Sequence, residues 1–301
     1  MSDRDGTFPQ RGDEASAAQS ASFASALPEL READLLRPAW RVSPRVNALM
    51  TTRNGGVSLP PYGRHANGTD APGGLNLGLH TGDDPAHVEL NRRRLLALAG
   101  APAAWLEQIH SADVVDACDV LAAARDGIAT TRADASVTCQ PGTVCVVMVA
   151  DCMPVLICDR EGRAVGAAHA GWRGLAAGVI ENTARRVATL AGGRTADLHA
   201  YLGPCIGPTA FEVGPDVRDA FMTGVDASQR DTTAAAFVAH PENAGKLLAN
   251  LPALARVRLQ SIGVTNIVGG DACTVTQRDL FYSYRRDRVT GRMAALIWLT
   301  S

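Results

Sequence analysis

Three apolar runs separated by tight turns, between residues 144 and 170, constrain this chain more than any other stretch. Val144-Cys145-Val146-Val147-Met148-Val149 leads into Ala150-Asp151-Cys152-Met153-Pro154. A second run turns at Asp159-Arg160-Glu161-Gly162, and a third ends on His169-Ala170-Gly171-Trp172-Arg173-Gly174. Short apolar runs bounded by turn residues read as buried strands, so a hairpin forms the centre of the molecule and a helix opens near Gly174. If the first and third strands end at the same edge of one sheet, the thiol of Cys152 and the imidazole of His169 share a site. Both are zinc ligand types.

The rest of the pattern fits around that hairpin. A first strand is expected near Val46 to Thr52, followed by a Gly/Pro-rich loop with an insertion over residues 63–71. Asp84 can cap a helix from Pro85 to Leu98, with Pro85 in its first turn. Trp105 to His110, Val114 to Ala117, Leu198 to Leu202 and Val264 to Val268 read as strands. Pro215 to Phe221 and residues 242–262 read as helical, with Pro252 interrupting or restarting the second. Met293 to Leu299 lacks polar alternation, as a strand buried on both faces does. No repeat or linker divides these elements. The expectation is one α+β domain over residues 31–301, preceded by a Ser/Ala/Asp/Arg-rich disordered tail at 1–30.

Charge and cysteine usage narrow the function. A formal net charge of −2 predicts no general attraction to nucleic acid or to acidic membranes, which leaves a small-molecule substrate or none. Of the 29 cationic residues only Lys246 is a lysine, so a single arginine carries little weight here as a sign of selection for its fork. The seven cysteines are odd in number and form no C-x-x-C pair, which favours a reducing compartment over a disulfide scaffold. With no apolar leader and no membrane-length apolar run, the sequence predicts a cytosolic protein.

Among the seven histidines, His110 and His169 fall where expected strands give way to loops. His110, Cys152 and His169 therefore form a candidate metal site. Two imidazoles and one thiolate leave a coordination position free for water, which is how catalytic zinc sites differ from closed structural ones. The same residues also fit a plainer reading, with Cys152 as core packing and the histidines unrelated.

Six strings appear in order: Leu75-Asn76-Leu77-Gly78-Leu79-His80-Thr81-Gly82-Asp83-Asp84-Pro85, Gln108-Ile109-His110-Ser111-Ala112, Ala150-Asp151-Cys152-Met153-Pro154, His169-Ala170-Gly171-Trp172-Arg173-Gly174, Leu202-Gly203-Pro204-Cys205-Ile206-Gly207 and Phe281-Tyr282-Ser283-Tyr284-Arg285-Arg286-Asp287. Together they resemble the polyphenol oxidase or laccase-domain family, also described as multi-activity purine nucleoside phosphorylases and, in some bacteria, as peptidoglycan editing factors. The resemblance covers residues 45–300. It implies an α+β fold of mixed sheets covered by helices, and a zinc site that maps onto His110, Cys152 and His169. It also implies phosphorolysis of adenosine, inosine and S-methyl-5′-thioadenosine, with adenosine deamination as a second activity. The laccase name itself meets a chemical obstacle. Four-electron oxygen reduction needs a type-1 copper and a three-copper cluster held by many histidines, and this chain has no His-x-His pair and no repeated barrel. One Cu²⁺ can still compete for a zinc site, because copper outranks zinc in raw affinity.

Phosphorolysis needs phosphate held beside the ribose while positive charge develops on the sugar. Arg173, at a helix mouth, and Arg285 are candidates to hold an anion or substrate, although a surface ion pair or a solvated basic turn explains either one. Asn76 can bond a ribose hydroxyl or simply form a turn. His80 is a candidate acid or base. Asp151 can orient a ligand imidazole, and Cys205 fits buried packing. The assignment from sequence is thus His80 and Arg173 as catalytic, and Asn76 and Arg285 as substrate-binding. The enzyme is expected to work on purine nucleosides and phosphate as a monomer or homodimer. Two other classes use the same residues: a metal-free cysteine hydrolase editing a peptidoglycan precursor, with Cys152 as nucleophile, and a non-catalytic nucleoside-binding protein.

Overall fold

The alternation of side chains along the apolar strands dictates a layered molecule. In the computed structural model, which describes residues 30–301, Val144–Val149 is buried on both faces. Val144, Val146 and Met148 face one cluster with Leu49, Leu95, Leu296 and Trp298. Cys145, Val147 and Val149 face another with Met50, Leu156, Cys158, Val165 and Ala167. One strand thus serves two cores, and each fully buried Val or Leu contributes about 1.5–3 kcal/mol by leaving water.

Val144–Val149 belongs to a five-stranded mixed sheet, in the order Leu35–Leu36, Val46–Thr51, Met293–Leu299, Val144–Val149, Ala103–Ala104. The hairpin that follows belongs to a second, six-stranded mixed sheet, in the order Asn266–Gly269, Leu198–Leu202, Met153–Asp159, Val165–Ala170, Ala135–Thr138, Val114–Asp116. The two sheets pack face to face. Pro85–Ala99 covers the outer face of the smaller sheet, where Leu95 is buried. Val179–Leu190 and Leu251–Ser261 cover the outer face of the larger one, through residues such as Ile180, Ala184, Val187, Leu254 and Leu259. The result is one α+β domain of mixed sheets between helices.

Several boundaries differ from the sequence expectation, each for a physical reason. The first and third central strands do not share a sheet: the chain leaves the smaller sheet at Ala150 and enters the larger at Met153. Trp105 to His110 is not a strand. Of the stretch from Ala103 to His110, only Ala103–Ala104 pairs with Val144–Val149 through backbone, and beyond it the Gln108 side chain takes over, donating to Met148 O at 2.8 Å and accepting from Met148 N–H at 2.8 Å. Residues 242–262 hold a strand, Leu247–Ala249, before the helix Leu251–Ser261. Asn250 caps that helix by accepting from Ala253 N–H, and Pro252 sits in its first turn, where its missing N–H costs nothing. The insertion over residues 63–71 folds as a small hairpin of Arg64–Ala66 and Thr69–Ala71. The tail expected at 1–30 lies outside the described residues, except for Leu30, which is buried. Among the described residues no helix is long and apolar enough to cross a membrane.

Candidate metal centre

Strand register brings the thiol and the imidazole together. In the central hairpin Pro154 lies opposite His169 and Met153 opposite Ala170. Side chains alternate across a strand, so Cys152 and His169 point to the same face, the one turned toward the smaller sheet. Gly171 follows Ala170 where the strand ends, next to Cys152. A Cβ there would stand 2.9 Å from Cys152 Sγ and 2.9 Å from His110 Cδ2, closer than real Cβ contacts allow. The third donor arrives on the loop after Gln108. His110 Nε2 lies 3.8 Å from Cys152 Sγ, the two imidazole centroids are 4.9 Å apart at 74°, and the donor atoms of His110, Cys152 and His169 all fall within 4.8 Å of one another.

One buried carboxylate holds both histidines. Asp134, fully buried at the mouth of Ala135–Thr138, accepts the Nδ1–H of His169 at 2.8 Å and the backbone N–H groups of Ile109, His110 and Ser111 at 3.1, 2.9 and 2.6 Å. Three successive N–H groups can converge on one anion only if the loop coils tightly, and His110 accordingly adopts a φ of 62°. Burial alone would raise the Asp134 pKa, but the hydrogen bonds from His169 and from the Ser111 and His110 N–H groups outweigh it and hold it at about 2. Because Asp134 takes the Nδ1–H, His169 presents its Nε2 lone pair to the cluster. Burial also opposes charge on Cys152 and His169, yet each favours it in the other. The thiol is shifted down by His169 and His110, and the imidazole is shifted up by Cys152 and Asp134.

This donor set suits a metal. The 3.8 Å between sulfur and nitrogen is less than the sum of a Zn–S and a Zn–N bond, about 4.3 Å, so both can reach one ion. His110 is the exposed member of the three. Among the described residues this is the single group of three or more His, Cys, Asp or Glu side chains with ligand geometry. The cluster opens into a cavity of about 510 Å³ whose walls include His80, Gln108, Met148, Tyr284 and Arg292. Cavities of this size take drug-sized ligands.

The other residues singled out from sequence are placed as follows. His80 lines the cavity, where partial burial of its ring, with Arg292 and Arg92 nearby, lowers its pKa. Arg173, Arg285 and Asn76 do not line it. Arg173 is exposed and stacks on Trp172, 4.5 Å from the ring centroid. Arg285 donates to Glu212 O at 3.0 Å. Asn76 is fully buried and fully engaged: it donates to Thr81 Oγ1 and Asp83 Oδ2 and accepts from the N–H groups of Gly78 and Arg292. Asp151 orients no imidazole. At a φ of 88° it turns its carboxylate to Thr274 Oγ1 and Arg285 N–H, both at 2.6 Å, and so pins the chain where it changes sheets. Cys205 is buried packing. Sequence reasoning missed Asp134, Tyr284 and Arg292. The one local sign of Asp134 is a lone acid leading into the apolar run Ala135-Ser136-Val137.

Comparison with known proteins agrees with this architecture. The profile of the family described as multi-copper polyphenol oxidoreductase laccase matches residues 47–300. The chain is 50% identical over 267 residues to purine nucleoside phosphorylase YfiH of Escherichia coli, covering 88% of this chain and 98% of that protein. It is 46% identical over 264 residues to purine nucleoside phosphorylase PA4543 of Pseudomonas aeruginosa, again covering 88% and 98%. The crystal structure of NMB0706 from Neisseria meningitidis superposes with a TM-score of 0.77 at 47% identity, covering 89% of this chain and all of that one. YlmD from Geobacillus stearothermophilus gives 0.75 at 30% identity, covering 91% and 98%.

Proposed function

This chain belongs to the family described as multi-copper polyphenol oxidoreductase laccase, and from that premise we propose that it is a zinc-dependent purine nucleoside phosphorylase. Its substrates are adenosine, inosine and S-methyl-5′-thioadenosine together with phosphate, and adenosine deamination is its second activity. It works in the cytosol, as a monomer or homodimer, without a nucleic-acid or membrane partner. The observation that carries this reading is the convergence of His110, Cys152 and His169, the last oriented by Asp134, on one wall of a nucleoside-sized cavity. Relatives named purine nucleoside phosphorylase, near 50% identity, support the choice of substrate class.

The three donors would hold Zn²⁺, which when bound supplies Lewis-acid chemistry; the mixed imidazole–thiolate set also admits Cu²⁺. The chain's own residues do the rest. Tyr284 offers an exposed aromatic face at the cavity for a purine ring. His80, kept mostly neutral near pH 7 by its lowered pKa, exchanges a proton with the bound nucleoside. Incubation of the purified enzyme with adenosine, with and without phosphate, tests the reading by following adenine, ribose 1-phosphate and inosine. Phosphate-dependent adenine release is expected, lost in Cys152→Ala and His169→Ala. Unchanged release in both variants sinks it.

A second reading rests on the same geometry. Cys152 Sγ beside an imidazole, with Asp134 behind His169, is also the arrangement of a cysteine nucleophile and its base. A hydrolase of this kind would edit a peptidoglycan precursor. A covalent acyl adduct trapped on Cys152, with turnover indifferent to chelators, selects it over the metal enzyme.

A further inference from the structure

Arg292 is the one arginine or lysine among the residues lining the cavity; its guanidinium carbon lies 5.9 Å from the Tyr284 ring centroid, and among the described residues no carboxylate answers its charge. Nη1 donates to the carbonyls of Thr290 and Gly291, both at 3.1 Å. Nε and Nη2 have no hydrogen-bond partner among the described residues. Other half-buried arginines in this chain are answered. Arg258 pairs with Glu181 at 3.1 Å, and Arg286 pairs with Asp287 while also bonding three carbonyls. Arg92 lies flat on Trp105 at 3.8 Å and donates to Leu77 O. A guanidinium stays charged at any physiological pH, so unused donors facing a cavity are a standing demand for an anion.

The surrounding structure is built to keep Arg292 there. Its N–H donates to Asn76 Oδ1 at 2.8 Å and its carbonyl accepts from Leu77 N–H at 3.0 Å, so segment 76–83 grips its backbone from both sides. Asn76 is locked in turn by Thr81 and Asp83. Gly78 clears the path of the stem: a Cβ there would meet Arg292 Cγ at 2.8 Å. Arg292 also immediately precedes Met293–Leu299, a buried strand paired to Val144–Val149 with Met293 opposite Val149. A rigid strand thus aims it, and His80 on the gripping segment lines the same cavity.

We propose that Arg292 is the phosphate-binding residue of this cavity, engaging the oxyanion with its free guanidinium edge. The identity of the anion rests on the phosphorolysis reading; the existence of an anion subsite does not. The test uses Arg292→Gln and Arg292→Lys in the full-length, zinc-loaded enzyme. Inorganic phosphate is titrated by thermal shift, and KM is measured separately for phosphate and for adenosine. Arg292→Gln should raise the phosphate KM at least ~10-fold, as loss of a charge-assisted bidentate contact does, while the adenosine KM changes less than about threefold. It should also abolish the shift given by phosphate. Arg292→Lys, which keeps the charge but loses the fork, should fall between Gln and wild type, and it decides the matter if the Gln variant does not fold. A phosphate KM and shift unchanged in the variants overturn the proposal, and so does the absence of any phosphate shift in wild type. A wild-type shift that Arg292→Gln removes, with no phosphate-dependent base release, upholds the anion subsite and removes the phosphorolysis reading alone.

Discussion

Replacing Asp134 by Asn tests whether one carboxylate sets both the protonation and the position of two donors. Oδ1 accepts from His110 N–H and His169 Nδ1–H, and Oδ2 from Ile109 N–H and Ser111 N–H. An amide of the same size has one acceptor and one NH₂, so whichever way it turns, the NH₂ faces two groups that were donating. Turned toward His169, it forces the ring to accept at Nδ1, which moves the proton to Nε2 and removes the lone pair a metal needs. Turned toward Ile109 and Ser111, it orphans two N–H groups and opens the loop that carries His110. The magnitude follows from the carboxylate's pKa of about 2 against an ordinary 3.8. Nearly two pH units at ~1.4 kcal/mol each give about 2–3 kcal/mol of stability, similar to orphaning a buried N–H or two at about 1–3 kcal/mol apiece. Urea unfolding of the metal-free proteins at pH 7 should show that loss. Zinc competition against a chromophoric chelator should show affinity reduced by about 10–100-fold. The folded-state pKa lies below the unfolded one, so the stability gap is full above about pH 4 and closes as pH falls toward 2. A folded Asp134→Asn protein with wild-type zinc affinity would refute the reasoning.

Three further outcomes follow from the geometry. Gly171→Ala should leave the fold intact but cut zinc stoichiometry well below one per chain, because the new methyl meets both Cys152 Sγ and His110 Cδ2 at 2.9 Å; metal analysis of the dialysed variant checks this. In metal-free protein near neutral pH, iodoacetamide should label Cys152 first, with zinc protecting it. Burial pushes the Cys145 thiol up to about 12 and those of Cys158 and Cys205 upward as well, so peptide mass spectrometry should find these three labelled only after unfolding. Asn91→Leu should cost about 2–4 kcal/mol in a denaturant melt, since the buried Asn91 side chain bonds Val57 N–H, Ser58 Oγ, Gly74 O and Asn76 O and ties the Pro85–Ala99 helix to the loop before it.

What the sequence discloses is the apolar framework. Met293–Leu299 and Val144–Val149 stand out because a strand buried on both faces needs no polar residue, and Asp84 with Pro85 marks a helix start through local hydrogen bonding alone. Cys152 and His169 stand out because each falls where such a run ends, and His110 because it follows Trp105-Leu106-Glu107-Gln108-Ile109, which reads as a strand without being one. Direction is less legible than type. Nothing local shows that Asn76 turns inward to hold Arg292, that Arg173 lies on Trp172, or that the chain changes sheets between Ala150 and Met153. Asp134 is the extreme case. The hydrogen-bond partners of its carboxylate lie 23 to 35 residues away along the chain, and only the closed fold makes it the hub of the cluster. Likewise the Gln108 amide imitates a strand's backbone pairing, so an element that reads as strand is held like one without being one.

Cys152 stands at the one step where the central chain passes from the smaller sheet to the larger, so a metal held there would tie metal supply to the lifetime of the molecule. His110 sits on a loop held by Gln108 to Met148 of the smaller sheet and by Asp134 beside the larger, and His169 lies near the end of a strand of the larger, so an unfolded chain has no preformed chelate and a bound cation would add a further tie between the two layers. By mass action, a free ion at ~100 times its dissociation constant adds about 2.7 kcal/mol to the native state. On the zinc-enzyme reading proposed above, a cell short of zinc would lose this protein to turnover as well as lose its chemistry.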